Sequence, residues 1–448
     1  LNGHVRGTRR VLSGPVRGAV LGAVLLVAAA CSSTDPAGDG VAALDGNRYS
    51  RTDLAASSDS YHAQFTIAEM VDAWGLANRP KGAGGHFWVG AGGKSFQFLG
   101  DVSESADPAL QKLTRDQFES VAIPGTDADP SDKSAGKTTG VVFNPAPINS
   151  DLFAVRDQWV DLNGMPVPLG GSARFIVGTD SGRINAWTEQ APDGAVIRRN
   201  GGANQVFDGS AQGMSFLGLA LAPSGDKLLA ADFGADPQIR TFDKFWQPVA
   251  TTGFANPFAT GKPIDPASPE KGNKAVPGDP APFNITTVGS RVFVSYAVTK
   301  ADKKDPEAFD KGEEVSLDAK ADEAADGTPD KGKVAEFDAA GKLVRIIDDG
   351  GRLNAPWAVT IAPSNFGALS GKLLIGNSGG LGRVLAFDDT TGTFVDYLRD
   401  SDGEPVQIEG LWALTFGNGE SAGDADALYF TAGPREEKDG LFGSLRAL

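Results

Sequence analysis

The strongest constraint on this chain is a repeat of three short β-like runs separated by turns. In residues 354–388 the runs are WAVTIAP, KLLIGN and RVLAFD, divided by segments rich in Gly, Asn and Ser. Along the first run the large Trp357, Val359 and Ile361 alternate with the small Ala358, Thr360 and Ala362. Such a strand is bulky on one face and small on the other, which suits a sheet pressed between two neighbours. One three-strand unit cannot cover its own faces, so the pattern demands copies.

The copies are present. The first run recurs as AWGLA (73–77), TGVVFN (139–144), FLGLALAP (216–223), PFNITTV (282–288), PWAVTIAP (356–363) and GLWALTFGNG (410–419), each followed by second and third runs. Six repeats predict an all-β, six-bladed β-propeller, in which radial stacking hides nearly every sheet edge. The sixth repeat stops after its third run at Leu448, and an orphan run, YHAQFTIAEM (61–70), precedes the first repeat. The ring is expected to close when this N-terminal run pairs with the C-terminal blade as its missing outer strand.

The first 30 residues are a different material. Arg6, Arg9, Arg10 and Arg17 precede an apolar run at 19–30, and no acidic residue occurs before Asp35. That run is too short for a permanent bilayer span and reads as a cleaved export signal. The single cysteine, Cys31, follows in the context VLLVAAACSST, which resembles a bacterial lipoprotein signal. The expected organisation is a signal peptide at 1–30, a flexible tether at 31–60 beginning at a lipidated Cys31, and the propeller at 61–448. A diacylated cysteine would hold the exported protein on the outer side of a bacterial cell membrane without a spanning helix. One cysteine allows no intrachain disulfide, and a net charge of −16 argues against nucleic acid as a partner.

At about 70 residues per repeat, the chain exceeds the roughly 40 to 50 that a compact blade needs. The surplus lies in insertions at 124–138, 145–172, 255–281 and 300–331. The last, KADKKDPEAFDKGEEVSLDAKADEAADGTPDK, is expected from its charge to be a solvated, mobile loop. Because antiparallel strands alternate in direction, 124–138, 255–281 and 300–331 share one rim and 145–172 lies on the other. Loops elaborated on one face of a rigid scaffold point to a working face.

Residues near the starts of the six innermost strands converge on the same rim: Asp72, Thr139, Ser215, Asn284, Asn354 and Glu409. Asp72, Asn284, Asn354 and Glu409 offer oxygen ligands suited to a divalent cation such as calcium, with Thr139 and Ser215 as further ligand-binding rim positions. In a purely structural role the same residues would cap strand ends. Histidine chemistry is nearly excluded, since only His62 and His86 follow the signal, and a Cys/His zinc site is ruled out by the single cysteine. GNSGGLG (376–382) runs into a strand and reads as a hairpin turn, not a nucleotide loop. Trp74, Trp357 and Trp412 are expected as core between blades, and Trp159 or Trp246 as a rim aromatic able to stack on sugar.

Two resemblances add to this. Glu409-Gly410-Leu411-Trp412 resembles, without its Pro, the Glu-Gly-Pro-x-Trp opening of the gluconolactonase and senescence-marker propellers, which implies a divalent metal held near inner-strand starts. More broadly, TGVVFN, the GLALAP and ADF pair, APFNI, LNAPWAVTIAP with NFGALSGKLLIGN, and GLWALTFGNG with LYFTAG resemble an uncharacterised bacterial secreted family described as NHL-repeat-like six-bladed propellers. That family has Gly where this chain has Ala358 and Ala413, and a shorter loop where this chain has 300–331. The resemblance implies the fold and no activity. The functional expectation is therefore a lipid-anchored propeller that binds a protein or glycan through its decorated rim, with a gluconolactonase-like, divalent-metal-dependent hydrolase as the alternative.

Overall fold

A computed structural model describes residues 40–126, 136–197 and 201–448, which fall within the unit Asp39–Leu448. The export signal, Cys31 and the tether up to residue 39 lie outside the described residues. Six antiparallel sheets follow in sequence, each with its first strand innermost. Blade 1 comprises Ala73–Asn78, Phe87–Ala91, Lys94–Phe98 and Ser120–Ala122; blade 2, Thr138–Phe143, Phe175–Thr179, Arg183–Trp187 and Asn204–Asp208; blade 3, Phe216–Leu221, Lys227–Asp232, Gln238–Asp243 and Pro248–Val249. Blade 4 comprises Pro280–Val288, Arg291–Ala301, Gly332–Phe337 and Leu343–Ile346; blade 5, Pro356–Ile361, Leu373–Asn377, Val384–Phe387 and Phe394–Tyr397; blade 6, Leu411–Phe416, Leu428–Ala432 and Leu441–Ala447. The chain is a six-bladed β-propeller, and the large-and-small alternation read from the inner runs is what lets the blades stack.

The ring closes through an N-terminal strand, but an earlier one than the sequence suggested. Tyr49–Ala56, inside the stretch expected to be tether, pairs antiparallel with Leu441–Ala447 from Tyr49↔Ala447 to Ala56↔Leu441. The expected run 61–70 contributes only Phe65–Thr66, which lies parallel beside Ala55 and Ala56 as a fifth strand. The physical reason is burial: Tyr49, Leu54, Ala55 and Ala56 are all buried, whereas Phe65 is half-buried and Thr66 exposed. The Tyr49 hydroxyl donates to the Phe366 carbonyl oxygen in blade 5 at 2.7 Å, tying the closing strand to the neighbouring blade. Burial pushes the Tyr49 phenol up to about 12.

All six innermost strands carry a register shift against their second strands near the start. Each shift puts one extra residue on the inner strand, a β-bulge that bends the strand and re-aims a side chain. The bulged residues are Trp74, Thr139, Leu217, Phe283, Trp357 and Trp412. Five of these six belong to one buried cluster. Trp74 stacks on Trp412 with centroids 3.7 Å apart, Trp357 meets both edge-on, and Phe283 lies 6.1 Å from Trp412. The tryptophans expected between blades therefore meet one another from blades 1, 5 and 6 and plug the ring's axis. Gly218 shows how tightly the inner strands approach, because a Cβ there would overlap the Asn284 side chain.

The insertions are built structure. Residues 300–331, expected as a mobile loop, carry the strand Phe309–Val315, which pairs with the free extension of Arg291–Ala301, and the helix Ala319–Ala324. The sequence reading overlooked that a long second strand offers an unpaired edge for the insertion to fold onto. In 255–281, the buried Asp279 carboxylate gathers the Thr260 and Val276 amides and the Thr260 hydroxyl. Opposite, 145–172 forms the hairpin Ala154–Leu162 and Met165–Ser172 around the left-handed Asn163-Gly164 pair. Trp246 is buried and donates from Nε1 to the Ala154 carbonyl oxygen at 3.0 Å, so it pins this hairpin and offers no stacking face. Trp159, on the hairpin's outer face, is 62% exposed.

Candidate functional site

The bulges decide which residues ring the channel mouth. Counting back one from the paired residue that precedes the bulge in each inner strand, the equivalent positions are Asp72, Lys137, Ser215, Ala281, Ala355 and Gly410. Of the residues expected there, Asp72 and Ser215 are in register. Asn354 and Glu409 lie one position earlier, while Thr139 and Asn284 lie deeper in the strand.

The displaced residues have other partners. The Asn284 amide donates to the Trp357 carbonyl oxygen at 2.8 Å and its Oδ1 accepts from the Ile285 amide. Asn354 is buried and pairs like a strand with Leu317 of the insertion, accepting from its N–H at 2.9 Å and donating to its carbonyl oxygen at 3.0 Å. Glu409 is exposed and its Oε1 accepts from the Arg435 amide at 2.9 Å. Thr139 donates its hydroxyl to the Phe216 carbonyl oxygen. The structure thus does not bring Asp72, Asn284, Asn354 and Glu409 together as free donors, and among the described residues no group of three or more His, Cys, Asp or Glu is arranged to hold a metal ion.

What converges instead is a charged cluster around Lys137. Its ammonium lies 2.9 Å from Glu437 Oε2 and 3.7 Å from Asp72 Oδ2, and its backbone amide donates to Asp180 Oδ1 at 2.6 Å. Asp72 Oδ1 accepts from Trp412 Nε1 at 2.9 Å, which couples the cluster to the aromatic plug. Burial, then the Glu437 charge, holds the Asp72 carboxyl well above the usual carboxylate range, with Lys137 and the Trp412 hydrogen bond partly offsetting them. Burial also raises Asp180. For Lys137, burial works against the ammonium, but the charges of Asp72, Glu437 and Asp180 outweigh it and keep the group charged. Ser215 is buried beneath Gly312 of the insertion, and its Oγ has no hydrogen-bond partner among the described residues.

Two features at this mouth carry cost. Arg435, Glu436 and Glu437 sit consecutively in the left-handed region at φ 57°, 55° and 64°. For side-chain-bearing residues that conformation costs roughly 1–2 kcal/mol each. It is the turn that delivers Glu437 to Lys137. The second feature is Glu314 on the insertion strand, whose carboxyl is pushed up to about 7 by burial and then by the charges of Glu437 and Glu313, with Lys300 opposing. Lys137, Glu314 and Glu437 were missed by sequence reading. Lys137 had a signal, since it stands two residues before the expected strand start; the left-handed turn at 435–437, made without glycine, had none.

His86 is the remaining chemical candidate. Its Nε2 is 3.1 Å from Asp116 Oδ2, beside a cavity of about 180 Å³ shared with Arg79 and Glu189. No hydroxyl or thiol side chain lines that cavity among the described residues.

No family model matches the chain. Two uncharacterised proteins of Acanthamoeba polyphaga mimivirus are similar to it. One is 34% identical over 230 residues, covering 51% of this chain and 48% of that protein. The other is 26% identical over 246 residues, covering 54% and 38%. The chain spans about half the length, or less, of the curated relatives it matches. Among solved structures, it is similar to a gluconolactonase from Xanthomonas campestris at 13% identity and TM-score 0.31, over 61% of this chain and 82% of that one. It is also similar to the WD40 β-propeller domain of Doa1 at 10% identity and TM-score 0.36, over 83% and 92%. Neither likeness bears on what this chain binds or does.

Proposed function

We propose that this propeller is a binding scaffold of an NHL-repeat-like secreted type. In this reading it is held by a lipid on Cys31 at the outer face of a bacterial cell membrane and presents the rim formed by 255–281 and 300–331 to a protein or glycan. The observation that carries this reading is the way the mouth uses its polar groups. Asn354 fastens the insertion, Asp322 of the insertion helix accepts from the Leu381 amide of blade 5 at 3.0 Å, and the Lys137 ammonium is held by Glu437 at 2.9 Å with Asp72 at 3.7 Å. Groups so engaged shape a surface; they are poorly placed to turn over a substrate. Divalent-metal-dependent hydrolysis of gluconolactonase type is favoured less, because Asn284 and Asn354 would have to abandon backbone hydrogen bonds to become ligands.

Photo-crosslinkers at Lys320 and Glu270, both exposed on the decorated rim, should capture a discrete envelope component that a crosslinker at Trp159 on the opposite hairpin does not. Equal capture at the two rims, or none, refutes the rim reading. Labelling with a fatty-acid analogue in a bacterial host tests the anchor, since the label should disappear in Cys31→Ser.

A further inference from the structure

The aromatic plug leaves a second, unlike space on its other side. Where the innermost strands end, a cavity of about 480 Å³ is lined by all six blades, and Trp357 of the plug contributes to its wall. Among the described residues that line it, none is charged, although charged residues make up 22% of the chain. Each innermost strand stands at the end of its sheet, so one row of its backbone N–H and C=O groups has no strand partner and faces the axis. The wall is thus rich in neutral donors and acceptors.

The side chains divide this wall. The third residue after the bulge is Thr286 in blade 4, Thr360 in blade 5 and Thr415 in blade 6, and all three line the cavity half-buried. None of the three hydroxyls has a hydrogen-bond partner among the described residues. The same position is Ala77, Val142 and Ala220 in blades 1 to 3, of which Val142 and Ala220 line the cavity. One half of the ring therefore offers hydroxyls and the other offers aliphatic surface.

We propose that this cavity is a binding site for a neutral carbohydrate of about disaccharide size. A sugar ring carries hydroxyls at its edge and C–H groups on its face, which match the two halves of the wall. A carboxylate, phosphate or ammonium would leave water for a site with no counter-charge, at a cost that neutral groups do not bear. The volume lies within the roughly 300–1,000 Å³ of small-molecule sites. This site is separate from the decorated rim and does not depend on the rim having a partner.

The test is titration of the full chain with neutral disaccharides (maltose, cellobiose, lactose, trehalose, mannobiose and N,N′-diacetylchitobiose), read by tryptophan fluorescence and calorimetry. At least one should saturate with a dissociation constant of about 1–10 mM or tighter. Its analogue with one C6 primary alcohol oxidised to the uronate should bind at least about tenfold more weakly. Thr360→Val and Thr415→Val, which keep side-chain shape, should each weaken binding about fivefold, with unfolding midpoints recorded alongside to separate loss of binding from loss of fold. A panel in which no member saturates by about 100 mM overturns the proposal; so does equal binding of the uronate, or undiminished binding by both folded valine variants.

Discussion

Glu314 allows a quantitative test of how the insertion is held at the mouth. Its carboxyl stands at about 7 in the folded protein against an ordinary value of 4.5. Between about pH 4.5 and 7 the folded chain retains a proton that the unfolded chain has released, so stability falls as pH rises through that window. A difference of about 2.5 units corresponds to at most about 3.4 kcal/mol. The residue as a whole is half-buried, so about 1–3 kcal/mol is expected. Glu314→Gln preserves shape and cannot ionise. Below about pH 4.5 it should match the parent, and above about pH 8 it should be more stable by that amount. Denaturant unfolding at several pH values reads the difference. Amide exchange over Phe309–Val315, corrected for its intrinsic pH dependence, shows whether the insertion strand loosens first. A gap between variant and parent that stays constant from pH 4 to 8 would refute the reasoning, because it would mean that the Glu314 charge is not opposed by Glu437, Glu313 and burial.

Three further outcomes follow from the same geometry. Glu436→Gly, at an exposed left-handed position whose carboxylate makes a surface salt bridge with Lys438, should raise stability by up to about 1 kcal/mol in denaturant unfolding; a loss would show that the turn is not strained. Trp412→Phe removes the donor to Asp72 Oδ1 and should cost about 2–4 kcal/mol at neutral pH. That cost should shrink as acid protonates Asp72, so a pH-independent cost would assign the effect to packing alone. Truncation to Asn47 should leave cooperative unfolding intact, whereas truncation to Ser57 removes Tyr49–Ala56 and should abolish it, as scanning calorimetry would register.

The parts of the fold that were legible from sequence are those where burial imposes a period. The inner strands are largely buried on both faces, and the alternation of large and small residues is visible in 217–222, 357–362 and 412–417. Tyr49–Ala56 was hidden because its middle, Arg51-Thr52-Asp53, faces outward and only its ends are buried. The mouth failed for a different reason: a bulge adds one residue without disturbing hydrophobicity, so counting from the start of an apolar run misplaces the positions before and after it. A signal did exist in the large-then-small pairs Trp74-Gly75, Leu217-Gly218, Trp357-Ala358 and Trp412-Ala413, which mark the bulge and the close approach behind it. Composition misled at 300–331, where Phe309, Val315 and Gly312 were outnumbered by charges yet sufficed to pair with a free strand edge.

The repeated bulge also explains why the two ends of this propeller differ so sharply in chemistry. An unbulged inner strand would keep its large side chains between blades and leave an open axial channel. With one extra residue per strand, three tryptophans, a phenylalanine and a leucine are gathered in one buried cluster. The charged groups on the mouth side, Asp72, Lys137 and Glu437, are tied to the plug by the hydrogen bond from Trp412 to Asp72, and Trp357 of the plug shares the cavity wall with the hydroxyl half-ring. Because Trp412 and Trp357 meet edge-on, a change in Asp72 protonation has a short route to the floor of the neutral cavity. That route is a packing contact with no charge of its own, so coupling between the two faces is limited to small shifts of two indole rings.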